Sequence, residues 1–127
     1  MQDGFHKSRP IAADIAGCII AAFTGAGQAV AAAASPAAPF AGITDSVGGK
    51  ASYGLVDLQL TQEADIRYGG AVRAGDPLTA AGDGTGRAVK AVKPGAGASV
   101  TVVGFAQVDG VTDDIGKVFL APSVLLG

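Results

Sequence analysis

The sequence predicts an all-β domain, and three observations carry that expectation. Apolar and polar residues alternate over 56–61, where Val56, Leu58 and Leu60 are separated by Asp57, Gln59 and Thr61. They alternate again over 63–68, with Ala64, Ile66 and Tyr68 between Glu63, Asp65 and Arg67. Such a period of two puts one set on a buried face and the other in water. Gly- and Pro-centred turn signals recur about every 8–12 residues, as in sandwiches and barrels. The segments between those turns are apolar, and residues 100–108 are dense in Val.

The architecture expected is a single compact β-barrel or jelly-roll-like sandwich spanning 11–127, with residues 1–10 as an extended N-terminal arm. The apolar run from Cys18 to Phe23 suits a buried strand. Gly25 to Gln28 reads as a turn, followed by an Ala-rich strand at 29–33 and a Pro-containing loop at 34–39. A short strand over 40–44 leads to a polar Gly-Gly turn. The two alternating runs at 56–60 and 64–68 are separated by a tight connection and read as an antiparallel hairpin. Strands are expected around Leu78, over 87–93, over 100–108 as the longest, and over 117–121 as the last. Val124, Leu125 and Leu126 then lie beyond it as a tail.

Composition narrows the function. The 127 residues hold 20 Gly, one His, one Cys, no Trp and a net charge of −2. A domain of this size buries roughly two-thirds of its unfolded surface, enough for a core. No basic stripe exists, and Arg87, Lys90 and Lys93 read as a solvated strand face rather than a phosphate track, so nucleic-acid binding is not expected. Cys18 has no second Cys to pair with in this chain. The Ile15-Ala16-Gly17-Cys18 segment has the look of a lipoprotein box. The apolar run before it is short, however, and Asp14 interrupts it. Residues 11–34 include Asp14, Gln28 and three Gly, which argues against a membrane span.

The candidate chemistry is sparse. Gly82-Asp83-Gly84-Thr85-Gly86 lacks the Lys-Ser/Thr ending of a P-loop and precedes a strand, so it reads as a hairpin turn. Asp109, Asp113 and Asp114 do not have the spacing of an EF-hand loop. Asp57, Glu63 and Asp65 sit on polar strand faces rather than as an acid–base pair. Cys18 lies in an apolar run with no base beside it. His6 has no second His. The segment Val72-Arg73-Ala74-Gly75-Asp76-Pro77-Leu78 has an echo of biotinyl and lipoyl carrier turns, but the Met that flanks their modified Lys is missing. The expectation is therefore no enzyme, no cofactor and no metal.

The ordered series of motifs resembles tailed-bacteriophage capsid cement, or head decoration, proteins. The likeness runs over residues 9–122. It comprises an Ala/Gly-rich first third, Phe40-Ala41-Gly42-Ile43-Thr44-Asp45, the 54–61 strand, and Tyr68-Gly69-Gly70-Ala71-Val72-Arg73-Ala74-Gly75-Asp76-Pro77-Leu78-Thr79. It continues through Gly86-Arg87-Ala88-Val89-Lys90-Ala91, Val103-Gly104-Phe105-Ala106 and Gly116-Lys117-Val118-Phe119-Leu120-Ala121-Pro122. The resemblance implies a virion protein, made in the host cytoplasm and bound to the outer capsid surface. It would stabilise the head against internal pressure. The implied partners are the major capsid protein and further copies of itself, as a dimer or trimer, with no nucleic acid and no membrane. Phe5, His6, Lys7 and Arg9 in the arm and Val124, Leu125 and Leu126 in the tail are the expected interface residues. The competing reading is a small β-barrel carrier or ligand-binding domain of cellular origin.

Overall fold

The computed structural model describes residues 6–25, 27–50 and 54–126. These residues contain ten strands and no helix. In chain order they are β1 (His6–Pro10), β2 (Ile20–Phe23), β3 (Val30–Ala32), β4 (Phe40–Thr44), β5 (Leu55–Gln59), β6 (Glu63–Arg67), β7 (Pro77–Ala80), β8 (Ala88–Lys90), β9 (Ser99–Ala106) and β10 (Ile115–Leu126). They form two five-stranded antiparallel sheets, ordered β1-β5-β4-β2-β3 and β6-β10-β9-β7-β8. The fold is an all-β sandwich, as the alternation and turn spacing predicted.

One core joins the sheets. Ile20, Ala22 and Ile43 from the first sheet pack with Ile66, Leu78, Val103 and Val118 from the second. A second cluster sets Ala21, Val56 and Leu58 against Ile11, Ile15 and Ile19, which precede β2. The first sheet is thus covered on both faces, and the small Ala residues allow that close approach. The second sheet also curls. A parallel bridge pairs Tyr68 with Ala88, and the Gly69 N–H donates to the Ala88 carbonyl at 2.7 Å. The two outer strands, β6 and β8, therefore meet at one end and blunt each other's edges there.

Two expectations are corrected. The runs at 56–60 and 64–68 are not a hairpin, since β5 pairs with β1 and β4 while β6 pairs with β10. The chain crosses between sheets at Leu60–Gln62, where Gln62 takes a positive φ of 65°. The faces were right, because Val56, Leu58, Ala64, Ile66 and Tyr68 are buried. Alternation fixes which face is buried but says nothing about which strand lies alongside. Gln59, placed on the wet face by alternation, is buried as well. Its amide donates to the carbonyls of Thr61 and Glu63, at 3.0 and 2.5 Å. This polar side chain holds the crossing in place.

The arm is the second correction. Over His6–Pro10 it is strand β1, paired residue by residue with β5 from His6↔Gln59 to Pro10↔Leu55. A polar, side-chain-exposed segment can join a sheet because pairing uses the backbone alone. Arg9 fastens it further, with its guanidinium 5.3 Å from the Phe23 ring centroid and 2.7 Å from the Gln28 amide oxygen. Phe5 lies outside the described residues.

Candidate functional site

The last strand is longer than its sequence suggested and builds the main exposed apolar feature among the described residues. β10 runs twelve residues, and the tail residues 124–126 are part of it. Over its first half it alternates cleanly. Gly116, Val118 and Leu120 face inward, while Ile115, Lys117 and Phe119 face out. A register shift between Leu120 and Ser123 then inserts one extra residue. Before it, Phe119 stands opposite Phe105 of β9; after it, Val124 stands opposite Thr101 and Leu126 opposite Ser99. Thr101 and Val103 line one cavity with Ile20, Ala33 and Phe40, whereas Phe105 is exposed, so the odd-numbered residues of β9 do not all share one face. After the shift Val124 and Leu126 are exposed, while Leu125 between them packs on Val100, Val102 and Ala91.

The exposed apolar residues of β10 are Ile115, Phe119, Val124 and Leu126; Ile115 and Phe119 form a stripe on one face with Phe105 beside it. All five are between 41% and 73% exposed. From residue 115 to 126 the strand extends roughly 35 Å. Across it, Glu63 of β6, Phe119, Phe105 and Pro77 of β7 stand in one lateral row. Lys117 interrupts the stripe, and its ammonium donates to the Asp65 carboxylate at 2.7 Å. That hydrogen bond and the charge behind it push the Lys117 pKa up. Leu125 packs on Ala91, Val100 and Val102.

The predicted interface residues thus divide. Val124 and Leu126 are exposed on β10, whereas Leu125 is partly buried in its own domain. His6, Lys7 and Arg9 lie on β1, at the edge of the other sheet, with His6 and Lys7 exposed. The structure does not gather the two sets into one site. The β10 extension had a legible apolar signal at 124–126, but Pro122 masked its continuity. Nothing in the sequence marks Phe105 and Phe119 as exposed, because alternation leaves the choice of inner face open where both faces carry large apolar residues.

The remaining candidates are occupied by structural roles. Asp109 accepts from the Ala74 N–H at 2.8 Å, Asp113 pairs with Arg87 at 3.0 Å, and Asp114 accepts from the Val111 N–H at 3.0 Å. Asp57 accepts from the Ser8 hydroxyl, while Glu63 and Asp65 lie in the other sheet. Asp83 accepts from both the backbone and the hydroxyl of Thr85. Those bonds hold its carboxyl below the usual range and shape the β7–β8 turn. Cys18 is buried with a left-handed φ of 59°, just before β2 rather than in it. Burial pushes its thiol pKa up, and the nearby Asp65 carboxylate adds to the effect. An open groove of about 490 Å³ is lined by Val72, Arg73, Asp76, Lys90, Asp109 and Val111. Asp76 turns inward there to accept from the Arg73 N–H at 3.0 Å. Among the described residues no helix is long and apolar enough to cross a membrane, and no three His, Cys, Asp or Glu side chains gather as a metal set.

The fold has a counterpart among solved structures. The chain is similar to the head fiber gp8.5 N base of bacteriophage phi29, with a TM-score of 0.67 and 16% identity. The likeness covers 92% of this chain and 93% of that one. No protein-family model matches the chain, and no curated protein matches it.

Proposed function

We propose that this chain is a structural protein of a bacteriophage head, bound to the outer surface of the assembled shell. The observation that carries the proposal is the shared fold, end to end, with a phage head fiber base. The ordered motifs that resemble head decoration proteins point the same way. The role needs an adhesive surface and no catalytic group. The stripe of Ile115, Phe119 and Phe105 is suited to it, since exposed apolar groups side by side gain by being covered.

In this reading the partner is the major capsid protein and the effect is cementing. Burying each large side chain of the stripe contributes ~1.5–3 kcal/mol before ordering costs. One copy then binds modestly, and several linked copies bind by avidity.

The test is co-sedimentation of purified chain with heads that lack it. Wild-type chain is expected to pellet with the heads and to raise the temperature at which they release DNA. The double variant Phe105→Ser with Phe119→Ser is expected to stay folded and remain in the supernatant. Equal binding by the variant removes the stripe as the contact, and absence of wild-type binding removes the function.

A further inference from the structure

The β10 strand has an edge that nothing covers among the described residues. β6 pairs with β10 only over Ile115–Phe119, and the Leu120 N–H still reaches the Gln62 carbonyl at 2.7 Å. Beyond that point β10 has β9 on one side, up to Leu126↔Ser99, and no described strand on the other. The far side of β9 is covered there, because the Thr101 N–H donates to the Pro36 carbonyl at 2.8 Å. The overhang is therefore a two-stranded ribbon with a single open edge, over residues 121–126.

Chemistry separates this edge from the other outer strands. β1 carries Lys7 and Arg9, β6 carries Glu63, Asp65 and Arg67, and β8 carries Lys90. β3 is only three residues long. Charges and shortness are the devices that keep sheet edges from pairing with other chains. Residues 118–126, Val-Phe-Leu-Ala-Pro-Ser-Val-Leu-Leu, hold no charge at all. The only guard is Pro122, which lies in the irregular stretch.

We propose that the open β10 edge pairs antiparallel with the same edge of a second copy of this chain, about a two-fold axis. An uncharged strand meets its own copy without repulsion. Any other long edge of this molecule would bring charged side chains against Val124 and Leu126. A two-fold contact is self-complementary, so one strand suffices to build both halves. The pairing extends the sheet through both copies, and Val124 and Leu126 gain cross-strand apolar neighbours from the partner. This assembly does not depend on the head-binding reading, and it leaves the Phe105–Phe119 stripe uncovered.

The experiment uses the full chain alone, without heads. Native mass spectrometry and sedimentation velocity are expected to show a dimer in wild type. Val124→Lys and Val124→Glu should each weaken dimerisation roughly tenfold or more, through like charges brought together at the seam. Both variants should keep the circular dichroism of wild type, because Val124 is 58% exposed. Mixing the two should restore a dimer containing one of each. A monomeric wild type overturns the proposal. So does a dimer or larger ring that the two variants leave intact, or a mixture that fails to recover.

Discussion

Gly116 lies directly beneath the aromatic ring of Tyr68, so close that a Cβ on Gly116 would overlap the Cζ and hydroxyl of the ring. Gly110 leaves room on the same ring, where a Cβ would come within 2.6 Å of Cδ2. Tyr68 is fully buried, and its hydroxyl donates to the Val108 carbonyl at 2.7 Å. Its backbone takes part too, with its N–H donating to Asp114 O and its carbonyl accepting from the Asp113 N–H, each at 2.8 Å. One tyrosine thus ties β6 to the loop over 108–114 and to the start of β10, the strand that carries the apolar stripe.

Gly116→Ala is expected to destabilise the fold by about 1–3 kcal/mol, because a packed core relaxes poorly around an inserted group. A lower urea midpoint with an unchanged slope checks it. An unaltered midpoint shows that the ring shifts freely.

Tyr68→Phe keeps the ring and removes the hydroxyl. The lost hydrogen bond is expected to reduce stability by roughly 0.5–1.5 kcal/mol near neutral pH. Burial raises the Tyr68 pKa above its ordinary value of 10.0, so the folded state holds the proton more tightly than the unfolded one. That contribution is complete below the ordinary tyrosine value and is lost as pH rises through the raised one. Wild type should therefore lose stability more steeply than Tyr68→Phe above about pH 10. Parallel curves for the two proteins would count against the burial argument.

Cys18 is expected to react slowly with thiol reagents in the folded protein. Its thiol is buried, and its raised pKa leaves little thiolate at neutral pH. Labelling at pH 8 should speed up as urea unfolds the chain. Rapid labelling of native protein would mean that the segment before β2 opens readily.

Arg9→Met is expected to loosen β1 by ~0.5–1 kcal/mol, since it removes the cation over Phe23 along with the bond to Gln28. Amide exchange should increase over His6–Pro10 and its β5 partners, while β9 and β10 stay protected. A uniform increase across the molecule would show that β1 opens only with the whole fold.

Much of this was legible in the sequence, and the failures have a common cause. Strands at 40–44, 55–59 and 63–67 followed from alternation and flanking turns, as did the β7–β8 hairpin around Asp83. The 56–68 hairpin failed because proximity in sequence stood in for pairing. β5 and β6 lie in different sheets, and Gln59, which reads as surface, is the buried polar anchor of the crossing. The arm failed because β1 has almost no apolar side chain to announce it, and its pairing rests on the backbone.

The sequence by itself determined the class of fold, the buried apolar faces of β5 and β6 and many of the places where the chain turns. Those depend on local periodicity and on residues such as Gly and Pro with restricted roles. Only the tertiary structure decided the strand order, the entry of residues 6–10 into a sheet, and the register shift between Leu120 and Ser123. Pairing partners and register are set by backbone hydrogen bonds between distant segments. Every residue but proline carries the same donor and acceptor, so the side-chain order leaves that choice unwritten.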